Sequence, residues 1–497
     1  MRKSVKILSL LLCLALCLSL GVFASGESSG GGSGEGSGDA YVASSEGSAS
    51  TSPYGYSGSG SDLTPSAPVN VADGELVVEN QAILGVGSTA VNNIGTSSVV
   101  VRDSVIVGID PEPTAPLSGL PGNLLVAGNI RATLALGQGH AYYINSTVLS
   151  SNWATLSTDG GVPAQAEGEE ELSVYAYGTL ARAIEGGYGT YSDLFCNVYI
   201  YGSELRSAEL GIISGTYGTV TVGTIGDGEA DENMAAHLTD ADRDAQPDKS
   251  LGSVIAGGRN AIMIHSVNLP PYWEYEGYSQ EEIPLYSAPI IVNGSTLCTD
   301  LDLNLGVKYD DQKQAYIDHT NGSVILIKST NADIDITGSE LIADPRGTGA
   351  IVQTVYNNDT MFMNAVPDGE QYPGIQVSLT AMDAVGDIIH EDYQRDLALT
   401  LTAASLVGAV KAYDCDHWNE VAAAEGFTDY ALDASYATPH GARVELCDGA
   451  SWIVAGESNL IGLTIGEGCT VTGSMTVDGV PTEPVPGTYE GDIVITP

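Results

Sequence analysis

The sequence predicts an all-β chain wound as a right-handed parallel β-helix, and three observations carry that expectation. Short β-prone runs such as "SSVVVRDSVIVG", "CNVYIYGSEL", "APIIVNGSTL" and "ADIDITGSEL" alternate with Gly, Asn, Asp and Ser, the pattern of many short strands joined by turns. Helical periodicity is nearly absent, "WNEVAAAEGF" (418–427) being the best exception. One hexamer, apolar-x-x-Ser-x-apolar, recurs along the chain, and recurrence at a short fixed period marks a solenoid.

Strict copies of the hexamer begin at Val101, Ile200, Val292 and Ile336, and looser ones at Ile144, Ile264, Leu379 and Leu401. The gaps are 43, 56, 64, 28, 44, 43 and 22 residues, five of them near multiples of 21–22. "STDGGVPAQAEGEEE" and "PPYWEYEGYSQEEIPLYS" read as insertions in the two irregular gaps. A coil of this length lays three short strands on three walls, and successive coils stack about 4.8 Å apart. Right-handedness follows from the bias of parallel crossovers. Inward apolar residues then stack on their equivalents, while Gly and Ser turn the corners. Near the C-terminus "VELCDGASW" (444–452) aligns with "LTIGEGCTV" (463–471) at an offset of 19. That register sets Cys469 opposite Ala450 rather than Cys447, so no Cys447–Cys469 disulfide is expected.

At the N-terminus, Arg2, Lys3 and Lys6 precede the apolar run "ILSLLLCLALCLSLGVF", and small residues allow cleavage after Ala24. This is the layout of a secretory signal peptide; the alternative is an uncleaved anchor. Residues 25–68 are rich in Gly, Ser, Glu and Pro and read as a disordered linker. The β-helix is expected over 69–480 and a C-terminal tail over 481–497. No second apolar run of spanning length appears, so membrane insertion of the mature chain is not expected, and the chain is expected outside the cell.

The chain carries 17 Lys and Arg against 63 Asp and Glu, a net charge of −46. Such a surface repels nucleic acid and anionic lipid, which argues against both as partners. Five cysteines remain beyond the signal, widely spaced and without a CxxC pair. That pattern gives neither a disulfide framework nor a structural zinc site.

"ADGELVVENQAILGVGSTA" near the start and "GASWIVAGESNLIGLTI" near the end resemble secreted bacterial parallel β-helix proteins of the adhesin-like kind, in the pectate-lyase-like fold superfamily. The resemblance spans roughly residues 70–480. It implies the fold; lyases, hydrolases, adhesins and structural proteins share it. Polygalacturonase-like relatives would carry clustered Asp residues, a Gly-His-Gly element and an RxK element. "GQGHAYY" offers His140 after Gly139, but Ala141 replaces the second Gly and no RxK exists.

Two segments carry candidate binding residues. "TDADRDAQPDK" holds Asp240, Asp242, Asp244 and Asp248 beside Arg243 and Lys249, with Arg259 nearby. Its alternating acids suggest a calcium loop, although Ala245 and Leu251 stand where an EF-hand requires Gly and Glu. A solvated acidic loop is the plainer alternative. "LPPYWEYEGYSQEEIPLY" crowds Tyr272, Trp273, Tyr275 and Tyr278 among acids. Aromatic faces with polar edges stack on sugars and anchor interfaces, or fold back onto the solenoid side. Cys415 and His417 lie two apart, with no third partner for a nucleophilic dyad.

The expected function is a secreted adhesive or structural β-helix that binds a glycan or protein ligand through its loops, with no catalytic residue assigned. The alternatives are a polysaccharide lyase or glycoside hydrolase of the same fold, and a self-assembling surface scaffold.

Overall fold

The structure is a computed structural model. It describes residues 63–111, 130–161, 171–192, 195–215, 218–265, 288–304, 311–328, 330–355, 374–392, 395–413, 415–426 and 441–497. The chain winds as a right-handed parallel β-helix with three walls. The first wall begins with Thr64–Ser66, Gln81–Val86 and Val105–Ile109; it runs as a nine-stranded ladder and then a four-stranded one ending at Thr470–Thr472. The second begins at Val69–Val71 and reaches Val410–Ala412, and the third begins at Glu75–Glu79 and reaches Ala442–Cys447. Parallel pairing joins each strand to its equivalent one coil away.

Alternation along each strand fills the interior. Ile200, Leu205 and Ile212 come from the third, first and second walls of one turn and all enter one continuous apolar core. Burying a side chain of this size contributes about 1.5–3 kcal/mol, so the stack of coils supplies stability that no single coil could hold.

The hexamer marks the corner between the third and first walls. Its third residue adopts the left-handed conformation: Asp103, Asn145, Gly178, Gly202, Gly294 and Gly338 all have φ between 46° and 56°. The hydroxyl that follows is part of a ladder along the solenoid. Ser104, Ser146, Thr179, Ser203, Ser253, Ser295 and Ser339 each accept an N–H from the preceding coil, at 3.0–3.4 Å. Each donates in turn to a strand-end carbonyl, as Ser203 does to Tyr201 at 2.9 Å and Ser253 to Gly223 at 2.8 Å. A sharp corner leaves backbone groups without ladder partners, and a short hydroxyl satisfies one of each kind. Past Ser339 the same position becomes apolar, with Met382, Ala404 and Ala450 buried.

Three details of the repeat differ from the sequence reading. The copy read from Ile144 is one residue late, since Asn145 holds the left-handed position and Ser146 the ladder position. The copy at Ile264 lies on the second wall, in strand Asn260–His265, not at the hexamer's corner. The 43- and 44-residue gaps are not two coils. Between Val292 and Ile336 the chain visits each wall once, at Thr296–Thr299, Ile325–Lys328 and Ala332–Thr337. Insertions about as long as a coil imitate a second period.

The described residues include five α-helices: α1 (Ile225–Ala230), α2 (Glu232–His237), α3 (Asp240–Ala245), α4 (Asp311–Thr320) and α5 (Cys415–Glu425). The last overlaps the one helical pattern read in sequence, over residues 418–425. Helices α1 to α3 leave the third wall after Gly223 and cover its outer face. There Tyr142, Tyr175 and Tyr199 stack at 4.8 and 4.6 Å with 9° between ring planes. His237 stacks on Tyr142 at 3.8 Å, while Tyr177 and Tyr201 hydrogen-bond Glu229 and Asp231.

The domain limits shift slightly. Strand Thr64–Ser66 pairs with Gln81–Ile83, so the first coil begins inside the stretch read as linker. The stretch read as a tail contains strand Gly487–Thr496, which pairs antiparallel with Ser458–Ile465 and buries Ile493 and Ile495. It closes the last coil, covering the edge that a parallel stack would otherwise leave open.

Candidate functional site

The coil register aligns the outward ends of the second-wall strands. His265 pairs with Lys328, Lys328 with Val355 and Val355 with Glu391. The chain leaves the second wall for the third at this corner. Residues 266–287, 356–373 and 427–440 are all inserted between these two walls. The aromatic candidates Tyr272, Trp273, Tyr275 and Tyr278 lie in the first of these, outside the described residues. Its anchor points are described: His265 ends one strand and Ala288 begins the next.

Glu391 is the centre of this corner. Its side chain is 2 % exposed, and its two oxygens face two imidazoles: Nε2 of His319, on α4, at 3.0 Å and Nε2 of His417, on α5, at 3.1 Å. Gln353, on the preceding second-wall strand, donates its Nε2 at 3.3 Å. Burial pushes the Glu391 carboxyl up, but the hydrogen bonds from His319, His417 and Gln353 outweigh it and hold the group at about 2. An ionised carboxylate in an apolar setting persists only when donors replace its lost water. The ring of Tyr413 stacks on His417 at 3.8 Å. The neighbouring Thr354 hydroxyl lies 2.7 Å from Nδ1 of His390, whose Nε2 is 2.9 Å from the Arg395 carbonyl. Asp392 and Arg395 form an ion pair at 2.8 Å, both fully buried.

Three coils before Glu391, burial and the charge of Lys328 lower the pKa of His265 to about 3, so this imidazole is neutral at physiological pH. Lys328 is itself buried. The arrangement is chemically an anchor. One carboxylate, fully engaged by three donors, pins two helices from distant parts of the chain onto one wall.

The acidic segment has a different architecture from an open cation loop. Thr239 and Asp242 form a capping box at the start of α3, and Asp242 also takes Nε of Arg102 at 3.1 Å. Asp240 and Asp244 are exposed on the same helix. Asp248 accepts from the backbone and hydroxyl of Ser250, which lower its pKa. Arg243 donates to the Leu238 and Ala235 carbonyls at the end of α2. Lys249 donates to the Gln246 carbonyl at 2.7 Å, and Arg259 faces Glu209 at 3.6 Å inside the solenoid. Among the described residues no three His, Cys, Asp or Glu side chains converge on a point that would take a metal ion.

His140 starts a third-wall strand, half-buried, with its ring 6.4 Å from Tyr142. His417 belongs to the Glu391 anchor, and the Cys415 side chain lies outside the described residues. Cys196, Cys298, Cys447 and Cys469 are free thiols. Ser451 pairs with Thr470, which sets Cys469 level with Ala450 as the sequence register requires.

Sequence reading missed Glu391, His319 and Gln353. They sit in "IIHED", "IDHT" and "IVQTV", none of which carries a recognisable spacing. Only the coil register, once insertions are removed, brings them together.

The fold defines the chain as a right-handed parallel β-helix with segments inserted at its corners, three of them at the corner between the second and third walls. Among known proteins no family matches the chain, and no curated relative or solved structure does either. No helix among the described residues is long and apolar enough to cross a membrane.

Proposed function

We propose that this protein is a secreted adhesive or structural β-helix that holds a glycan or protein ligand at the loops between its second and third walls. The supporting observation is the shared corner. The aromatic insertion begins one residue after His265, in line with the strand end where Glu391 pins α4 and α5. Binding loops on a rigid scaffold are a recurrent arrangement, because the scaffold lowers the ordering cost of the loops. A relation to adhesin-like members of the pectate-lyase-like superfamily is part of the same reading.

Glu391 does not favour the enzymatic alternative. A general acid needs a carboxyl raised toward the working pH, and this one is held low by three donors.

Glycan- and protein-array binding by the mature chain tests the proposal. Replacing Tyr272 and Trp273 by Ala is expected to abolish array binding with the fold intact. Turnover of any polysaccharide in a substrate panel would overturn the adhesive reading in favour of a lyase or hydrolase.

A further inference from the structure

The outer face of the first wall changes character along the solenoid. In its middle coils the outward positions are charged and mutually paired, Glu204 meeting Arg206 at 2.5 Å and Arg182 at 3.3 Å. Farther on, the outward position carries Ile342, Val385, Val407 and Ile453 on consecutive coils. Val385 pairs with Val407 and Val407 with Ile453. Ile342, Val385 and Ile453 are 38 %, 66 % and 48 % exposed. Scattered exposed apolar residues are ordinary, but a contiguous row on a flat wall marks an interaction face.

A second column runs beside this row, two residues earlier on each strand. It reads Glu340, Asp383, Ser405, Ser451. The acids occupy one end of the column and the hydroxyls the other.

We propose that this stripe is a self-association face on which a second copy of the chain docks with its solenoid axis antiparallel. With the two-fold axis lying along the strands, Ile342 of one copy meets Ile453 of the other, and Val385 meets Val407. The flanking column then places Glu340 against Ser451 and Asp383 against Ser405. Glu340 then faces the Ser451 hydroxyl, Asp383 faces a Ser405 whose hydroxyl already donates to the Asp383 of its own chain, and no two carboxylates lie directly opposite across the contact. Like charges opposed in a desolvated contact cost several kcal/mol, and the antiparallel arrangement avoids them. Each copy carries a net charge of −46, and the long-range repulsion is screened by salt, with a Debye length of about 10 Å at 0.1 M and about 3 Å at 1 M. The dimer therefore strengthens as salt rises. This face is separate from the proposed ligand corner and does not depend on it.

Sedimentation of the mature chain in low and high sodium chloride tests the proposal. A monomer–dimer equilibrium shifting toward dimer at high salt is expected, and Val385→Glu is expected to weaken it by about tenfold or more, as loss of a central apolar contact does. A second measurement uses copies with one introduced cysteine in a background with Cys298, Cys415 and Cys447 replaced by Ser, Cys196 and Cys469 being buried. A mixture of Ile342→Cys and Ile453→Cys copies is expected to form disulfide-linked heterodimers, and neither variant alone is expected to cross-link, because three coil spacings of about 4.8 Å separate each position from its own mate. A chain that stays monomeric at every salt concentration would overturn the proposal. So would a dimer indifferent to Val385→Glu, or cross-linking by either cysteine variant alone.

Discussion

His319 and Glu391 are 72 residues apart in the chain and 3.0 Å apart in space. His417 occupies the other oxygen of the same carboxylate at 3.1 Å. One buried negative charge thus fixes the position of α4, which precedes a second-wall strand, together with α5, which leaves the second wall at the proposed ligand corner.

The anchor makes stability depend on acid. Glu391 is held at about 2, against an ordinary value of 4.5. A carboxyl depressed in the folded state contributes stability above its unfolded pKa, lost as pH falls through the folded one. At about 1.4 kcal/mol per pKa unit, the contribution is about 3 kcal/mol, present at pH 7 and lost between roughly pH 4.5 and 2. Urea unfolding across this range is expected to show a loss of that size in the wild type beyond the loss in Glu391→Gln. Equal pH profiles for the two proteins would show that the anchor carries no net charge stabilisation.

Ser203 accepts the Thr179 N–H at 3.0 Å, and both residues are buried. Ser203→Ala removes that acceptor and leaves a buried donor unsatisfied, which costs about 1–3 kcal/mol. Ser405→Ala, on the exposed side of the same wall, is expected to change stability by less than about 0.5 kcal/mol. The pair of chemical denaturation midpoints checks the difference.

Ala403 holds the left-handed corner position with φ of 50°, where the other coils, apart from that of Ala381, place Gly, Asn or Asp. That conformation costs an L-residue about 1–2 kcal/mol. Replacement by Gly relieves it and loses about 0.5–1 kcal/mol to unfolded-chain entropy. Ala403→Gly is therefore expected to stabilise the chain slightly, read as a higher melting temperature. The reverse change at an existing corner glycine, Gly338→Ala, is expected to lower it.

Calcium addition is expected to leave the melting temperature no higher than an equal ionic strength of sodium chloride does. A ligand stabilises a fold only by binding the native state, and Asp242 is already engaged by Thr239 and Arg102. A specific rise with calcium, lost in Asp240→Asn with Asp244→Asn, would restore the acidic segment as a cation site.

The repeat was legible because each coil needs the same corner. A left-handed residue, a hydroxyl and two inward apolar residues leave a short pattern that survives in "IYGSEL" and "ITGSEL". Ser253 escaped that pattern because α1 to α3 separate it from the third-wall strand ending at Gly223. Thr179 escaped it because Thr replaces Ser there.

The sequence by itself determined the winding of this protein, since alternation and corner chemistry are local and recur with every coil. The tertiary structure decided how the inserted segments use the walls. It made "TDADRDAQPDK" begin as a capped helix over a stack of tyrosines, and it brought His319, Glu391 and His417 to one point. Those contacts depend on how many residues each coil spends outside its strands. Chain lengths of that kind carry no periodic signal, so only the stacked coils convert them into neighbours.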